Sequence, residues 1–104
     1  MEISINTHEN KFMVLEINGE VDAYTAQDLD KTLQDLLSKG NPQIVLNVSK
    51  LTYISSAGIR TILYAHQEAV QLGGEVKLMG PTDQVRRTFE IAGIFDIIQI
   101  IDTL

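Results

Sequence analysis

Residues 43–73 read QIVLNVSKLTYISSAGIRTILYAHQEAVQLG, which joins a strand pattern to a helix pattern. The run from Ile44 to Val48 is almost entirely aliphatic or β-branched, which is typical of a central strand covered on both faces. A short loop through Lys50 and Tyr53 follows. Apolar residues then recur at helical spacing from Ile59 to the glycines after residue 72. The sequence therefore predicts a central strand followed by an amphipathic helix.

Two consecutive serines, Ser55 and Ser56, precede this helix. Serine is a preferred N-cap because its hydroxyl accepts a hydrogen bond from a free backbone N–H group, so we expect one of the pair to cap the helix. The free N–H groups and the helix dipole also favour a negative charge there by ~0.3–1 kcal/mol. A phosphate on one serine is thus compatible with the helix. From the residues alone, capping is favoured and phosphorylation is the alternative.

The rest of the chain alternates between strand and helix patterns. We expect an antiparallel pair from residues 1–6 and 11–18 with a turn between them, and a break between Gly19 and Asp22. A helix should start at Thr25, with Asp28 as a capping-box partner, and end at Gly40. The remaining predicted elements are a strand over 75–79, a helix from Thr82 with Val85, Phe89 and Ala92 inward, a contact of Ile94-Phe95 with its last turn, and a strand over 97–101.

This order predicts an α/β fold, because strands joined by helices pair in parallel through right-handed crossovers after an antiparallel start. We expect one domain over residues 1–104, with a mixed sheet of about five strands and three or four helices packed against it. The composition, 44% hydrophobic and 21% charged, is typical of a globular protein.

Charge and residue content narrow the functional classes. The net charge of −6 opposes nonspecific binding to nucleic acid or anionic membranes, and the absence of cysteine excludes disulfides and thiolate metal sites. The N-terminal residues show no secretory signal pattern, and no apolar run approaches the ~20 residues that span a bilayer. We therefore expect a cytoplasmic protein with no membrane span and no nucleic-acid partner.

Catalytic and metal-binding patterns are not found in the sequence. His8 and His66 are the histidines, and neither has a second ligand at metal-binding spacing, so no metal is predicted. The serines are not in a Gly-x-Ser-x-Gly elbow, and Gly73-Gly74 lacks the ending of a phosphate-binding loop. We expect a protein that is not an enzyme and needs no cofactor. A small hydrolase that uses Ser56 and His66 is a remote alternative.

Two blocks of sequence resemble one known family. Residues 46–59, LNVSKLTYISSAGI, are similar to the signature of the STAS-domain anti-sigma factor antagonists. Residues 19–26, GEVDAYTA, are similar to a second block of that family, about thirty residues earlier. The resemblance covers essentially the whole chain and implies the STAS fold. One position departs from the pattern, because Ser55 stands where the family usually has Asp.

The resemblance also implies a function and a site. It implies that Ser56, the serine before the small residue and glycine, is a phosphoacceptor. The unphosphorylated chain would bind an anti-sigma factor that is also a serine kinase and so release a sigma factor. Phosphorylation would end that binding, and a serine phosphatase would restore it. The residues expected at the partner-binding surface are Asp22, Tyr24, Ser55, Ser56, Ala57, Gly58 and Arg60. Because Ser55 replaces the family's Asp, the alternative is a STAS scaffold subunit of a transporter or signalling assembly without phosphate control.

Overall fold

The structure is a computed structural model that describes residues 1–7 and 12–104. The predicted turn over residues 8–10 and the histidine His8 lie outside the described residues. The strands are β1 (Glu2–Thr7), β2 (Met13–Val21), β3 (Gln43–Asn47), β4 (Leu51–Ile54), β5 (Glu75–Met79) and β6 (Ile100–Ile101). The α-helices are α1 (Ala26–Ser38), α2 (Ser56–Gln71) and α3 (Asp83–Ile91), and a short 3-10 helix covers Ile94–Asp96.

The described strands form a six-stranded mixed sheet with the order β1-β2-β3-β5-β6 and with β4 beside the end of β2. β1 and β2 are antiparallel, whereas β3 pairs in parallel with both β2 and β5. The predicted α/β fold, the antiparallel start and the central position of β3 are therefore confirmed. The helices connect parallel strands, as the alternating pattern requires.

Strand β4 was predicted as a loop, and that prediction is wrong. β4 pairs with the end of β2, which continues through Gly19 to Val21 where the sequence predicted a break. The register shifts by one residue, since Gly19 lies opposite Leu51 and Glu20 lies opposite Tyr53. The extra residue between them interrupts the period-2 alternation, so the segment does not show the usual strand pattern.

The hydrophobic core lies on one face of the sheet. Ile44 and Leu46 of β3 belong to the cluster that contains the buried side chains of all three α-helices. Val45 points to the opposite face and is outside that cluster, although it is fully buried. Its partners in the neighbouring strands are Val14 and Lys77. The expectation that β3 is covered on both faces is confirmed, because Ile44, Val45 and Leu46 are all fully buried.

The C-terminal segment differs from the prediction in two places. Ala92 is exposed, because α3 ends at Ile91 and only Val85 and Phe89 of that helix are buried. The last strand is confined to Ile100–Ile101, after the 3-10 helix. The predicted contact after the helix is confirmed, since Ile94 is fully buried and the Phe95 ring lies edge-on to Phe89 with centroids 6.2 Å apart.

Candidate functional site

The two serines before α2 have different environments. Ser55 is the N-cap, and its hydroxyl oxygen accepts a hydrogen bond of 3.2 Å from the backbone N–H of Gly58. Its own N–H donates to the carbonyl oxygen of Val21 at 2.8 Å, which fixes the helix start to the end of β2. Ser56 is the first residue of the helix and is exposed. Within the described residues its hydroxyl makes no hydrogen bond, so it is accessible and has no capping role.

Gly58 lets α2 begin directly against the sheet. It is buried, and an added Cβ would lie 2.8 Å from the Cγ1 atoms of both Ile54 and Val21. Those distances are too short for a Cβ, so any other residue would force its neighbours to shift. The expectation that Gly58 forms part of the exposed partner surface does not agree with its burial. Its role in the structure is to hold the helix start against β2 and β4.

Asp22 forms a capping box with Thr25. Its carboxylate oxygen Oδ1 accepts from the Thr25 backbone N–H at 2.7 Å and from the Thr25 hydroxyl at 3.0 Å. In return, the Thr25 hydroxyl oxygen accepts from the Asp22 N–H at 2.9 Å. These bonds, with the Thr25 backbone N–H contributing most, hold the pKa of Asp22 below its ordinary value. The predicted box between Thr25 and Asp28 is wrong, because the Thr25 side chain bonds backwards to Asp22.

Strand pairing brings this loop next to the serines. β2 and β4 are parallel and end side by side at the pair Val21 and Ile54, so the following residues, Asp22 and Ser55, are neighbours. Tyr24 follows in the same loop and is 77% exposed. The sheet thus places most of the predicted surface residues at one end of the molecule, although they are about thirty residues apart in the sequence.

A groove of about 270 Å³ lies between α1 and α2, towards their N-terminal ends. Its lining residues include Ala57 and Arg60, which the sequence had identified. The groove is also lined by residues that the sequence did not indicate as site residues: Ala23, Ala26, Gln27, Asp30, Thr61 and Tyr64. Tyr64 could have been predicted from its spacing, because intervals of four residues place Ser56, Arg60 and Tyr64 on one face of α2.

His66 has a structural role. Its Nδ1 accepts a hydrogen bond of 3.1 Å from the backbone N–H of Val76 in β5. It lies ten residues beyond Ser56 on the same helix, which corresponds to ~15 Å along the axis. The imidazole therefore cannot act as a base for Ser56, and the hydrolase alternative is not supported.

Two further kinds of site are not found in the part of the chain that the structure describes. Residues 1–7 and 12–104 contain no group of three or more His, Cys, Asp or Glu side chains that could hold a metal ion. None of the described helices has the length and apolar character needed to cross a membrane.

Comparison with known proteins identifies the family. A family model of the STAS domain matches residues 2–104. The chain belongs to the STAS domain family. Among its relatives, the anti-sigma-B factor antagonist of Staphylococcus aureus is 28% identical over 101 residues, which is 96% of this chain and 94% of that protein. BtrV of Bordetella bronchiseptica, described as a candidate anti-sigma factor antagonist, is 34% identical over 84 residues, 81% of this chain and 72% of its own length.

Solved structures support the same STAS fold. A candidate anti-sigma factor antagonist from Thermotoga maritima superimposes with a TM-score of 0.90 at 24% identity, covering 98% of this chain and 87% of that one. The antagonist SpoIIAA in its unphosphorylated form gives a TM-score of 0.78 at 17% identity, covering 99% and 90%. These identities establish the fold alone. The resemblance to the STAS-domain anti-sigma factor antagonists is confirmed. Because that family consists of non-enzymatic regulators, the prediction that this STAS domain is not an enzyme is confirmed as well.

Proposed function

We propose that this STAS domain is an anti-sigma factor antagonist whose activity is controlled by phosphorylation of Ser56. In the unphosphorylated form it binds an anti-sigma factor that is also a serine kinase, and so releases a sigma factor. Phosphorylation of Ser56 ends that binding, and a serine phosphatase restores it. These steps take place in the cytoplasm, in one folded unit comprising residues 1–104, without nucleic acid or a cofactor bound to this chain.

The observation that carries the proposal is the division of roles between the two serines. The Ser55 hydroxyl is engaged with the Gly58 N–H, so its modification would remove the helix cap. The Ser56 hydroxyl is exposed at the first helical position, where the helix dipole favours the charge of a phosphate. Ser56 can therefore be modified without loss of a structural hydrogen bond. Relatives named as anti-sigma factor antagonists provide the second support.

The chemical step is an ordinary phosphoryl transfer, for which the partner supplies ATP. The Ser56 oxygen forms a bond to the γ-phosphorus as the bond to the bridging oxygen breaks and ADP leaves. A base of the kinase accepts the hydroxyl proton. Ser56 contributes only the nucleophile, so accessibility is what this site must provide.

The added charge is sufficient to end binding. A phosphate contributes about −1.5 to −2 charges at neutral pH and three acceptor oxygens that hold water. It would stand beside a loop and groove that already contain the carboxylates of Asp22 and Asp30. A penalty of only ~1.4 kcal/mol weakens binding tenfold, and one desolvated or repelled charge reaches that value.

The test is a reconstitution with the anti-sigma factor from the same organism. We expect the wild-type chain to bind it without ATP and to lose at least tenfold in affinity after incubation with ATP. Ser56→Ala should bind equally well under both conditions, whereas Ser55→Thr, which retains a capping hydroxyl, should respond as wild type does. Equal affinity of the wild-type chain with and without ATP would exclude phosphate control and favour the scaffold alternative.

A further inference from the structure

We propose that Arg60 binds the phosphate of phosphorylated Ser56, and that the modified site is therefore an intrahelical ion pair. This inference rests on the proposed function, because it concerns the modified state of the same serine. It assigns Arg60 as a positioning residue for the phosphate.

The helix geometry places the two side chains together. Ser56 and Arg60 are at positions i and i+4 of α2, where Cβ atoms are ~5–6 Å apart on one face. Side chains of a helix lean towards its N-terminus, so the long Arg60 side chain is directed back over Ser56. The anion precedes the cation in the chain, which is the more favourable order for such a pair.

Arg60 is available for this contact. It is exposed and lines the groove between α1 and α2. Within residues 1–7 and 12–104, ion pairs within 4.0 Å join Lys39 to Asp35 and Lys50 to Glu16, and none involves Arg60. The Asp30 carboxylate lines the same groove without pairing with it. The guanidinium is thus free to form a charge-assisted, bidentate hydrogen bond with phosphate oxygens.

The ion pair has a consequence for switching. In the unmodified chain, Arg60 is a cation of the groove and can contact an acidic group of a partner. When Ser56 carries a phosphate, the guanidinium is drawn to it. The phosphate then adds negative charge and also occupies the guanidinium, which is no longer available to an acidic group of a partner.

The experiment uses the full chain with phosphoserine incorporated at position 56 during translation, so that no kinase is needed. The phosphate is titrated by ³¹P NMR at low ionic strength in four backgrounds: the parent chain, Arg60→Gln, Arg60→Lys and Arg87→Gln. Arg87 is an exposed arginine of α3, outside the groove, and its removal controls for net charge. Circular dichroism of each variant checks that the fold is kept.

We expect Arg60→Gln to raise the midpoint of the phosphate titration by roughly 0.3 pH units, since a neighbouring cation favours the dianion. Arg60→Lys should retain most of the parent's midpoint, and Arg87→Gln should leave it unchanged. Equal midpoints in the parent and Arg60→Gln chains would refute the ion pair, as would an equal rise in Arg87→Gln. Since no kinase is involved, this outcome is independent of whether a kinase modifies Ser56.

Discussion

Replacement of Gly58 by alanine tests the packing that positions the serines. The new Cβ would lie 2.8 Å from Cγ1 of both Ile54 and Val21, where ordinary contact begins at 3.4 Å, so 3.4 − 2.8 = 0.6 Å must be gained on each side. Both neighbours are buried branched side chains with little freedom to move. Overpacking of this kind costs ~1–3 kcal/mol. An offset of up to ~1 kcal/mol from alanine's higher helix propensity leaves an expected net loss of ~0–2 kcal/mol.

Urea denaturation followed by circular dichroism measures this loss. The sign of the change in the free energy of unfolding is decisive, because helix propensity alone would make Gly58→Ala more stable. The matched control is the same substitution in a Val21→Ala background, which removes one of the two clashing atoms. There Gly58→Ala should cost less by ~0.5 kcal/mol or more, the size of coupling expected for residues in contact. Stability above that of wild type, or strictly additive losses, would contradict the predicted clash.

The remaining predictions concern individual hydrogen bonds. Ser55→Ala should lose ~1 kcal/mol of stability through its cap, whereas Ser56→Ala should change it by less than ~0.5 kcal/mol; equal losses in urea denaturation would contradict the assignment of the cap. His66→Leu leaves the Val76 N–H without its acceptor and should cost ~1–3 kcal/mol, with faster hydrogen exchange of that amide; an unchanged exchange rate would argue against the bond. The lowered pKa of Asp22 means that its carboxylate stabilises the fold above the ordinary value of 3.8, and that this contribution is lost as pH falls through the lowered pKa. Wild type should therefore exceed Asp22→Asn in stability at neutral pH by a margin that shrinks below pH 3.8, and a constant margin would contradict this.

Local patterns were sufficient for much of the fold. The aliphatic run of β3 and the serine before Ile59 each have one dominant physical interpretation, and both elements are found where the sequence places them. Strand β4 could not be predicted because a one-residue register shift removes the alternation that identifies a strand.

The candidate site, too, could be predicted from the sequence only in part. The sequence identifies which residue types surround Ser56, and the resemblance to the family identifies which loops they occupy. The sequence does not reveal that Asp22 forms hydrogen bonds with Thr25, because both Asp22 and Asp28 are at capping-box spacing from that threonine. Nor does it reveal that Gly58 is buried, since the reason for a glycine lies in Val21, a residue of another strand.

We propose that Ser56, and not its capping neighbour Ser55, receives the phosphate. Site-resolved mass spectrometry after incubation with ATP and the anti-sigma factor kinase from the same organism tests this most directly. We predict a single phosphate, on Ser56, and no phosphate on the Ser56→Ala chain. Ser55→Asp, which restores the family's usual residue and can still cap α2, should be phosphorylated at Ser56 at least as fast as wild type. Phosphate on Ser55 alone, or on neither serine, would contradict the account.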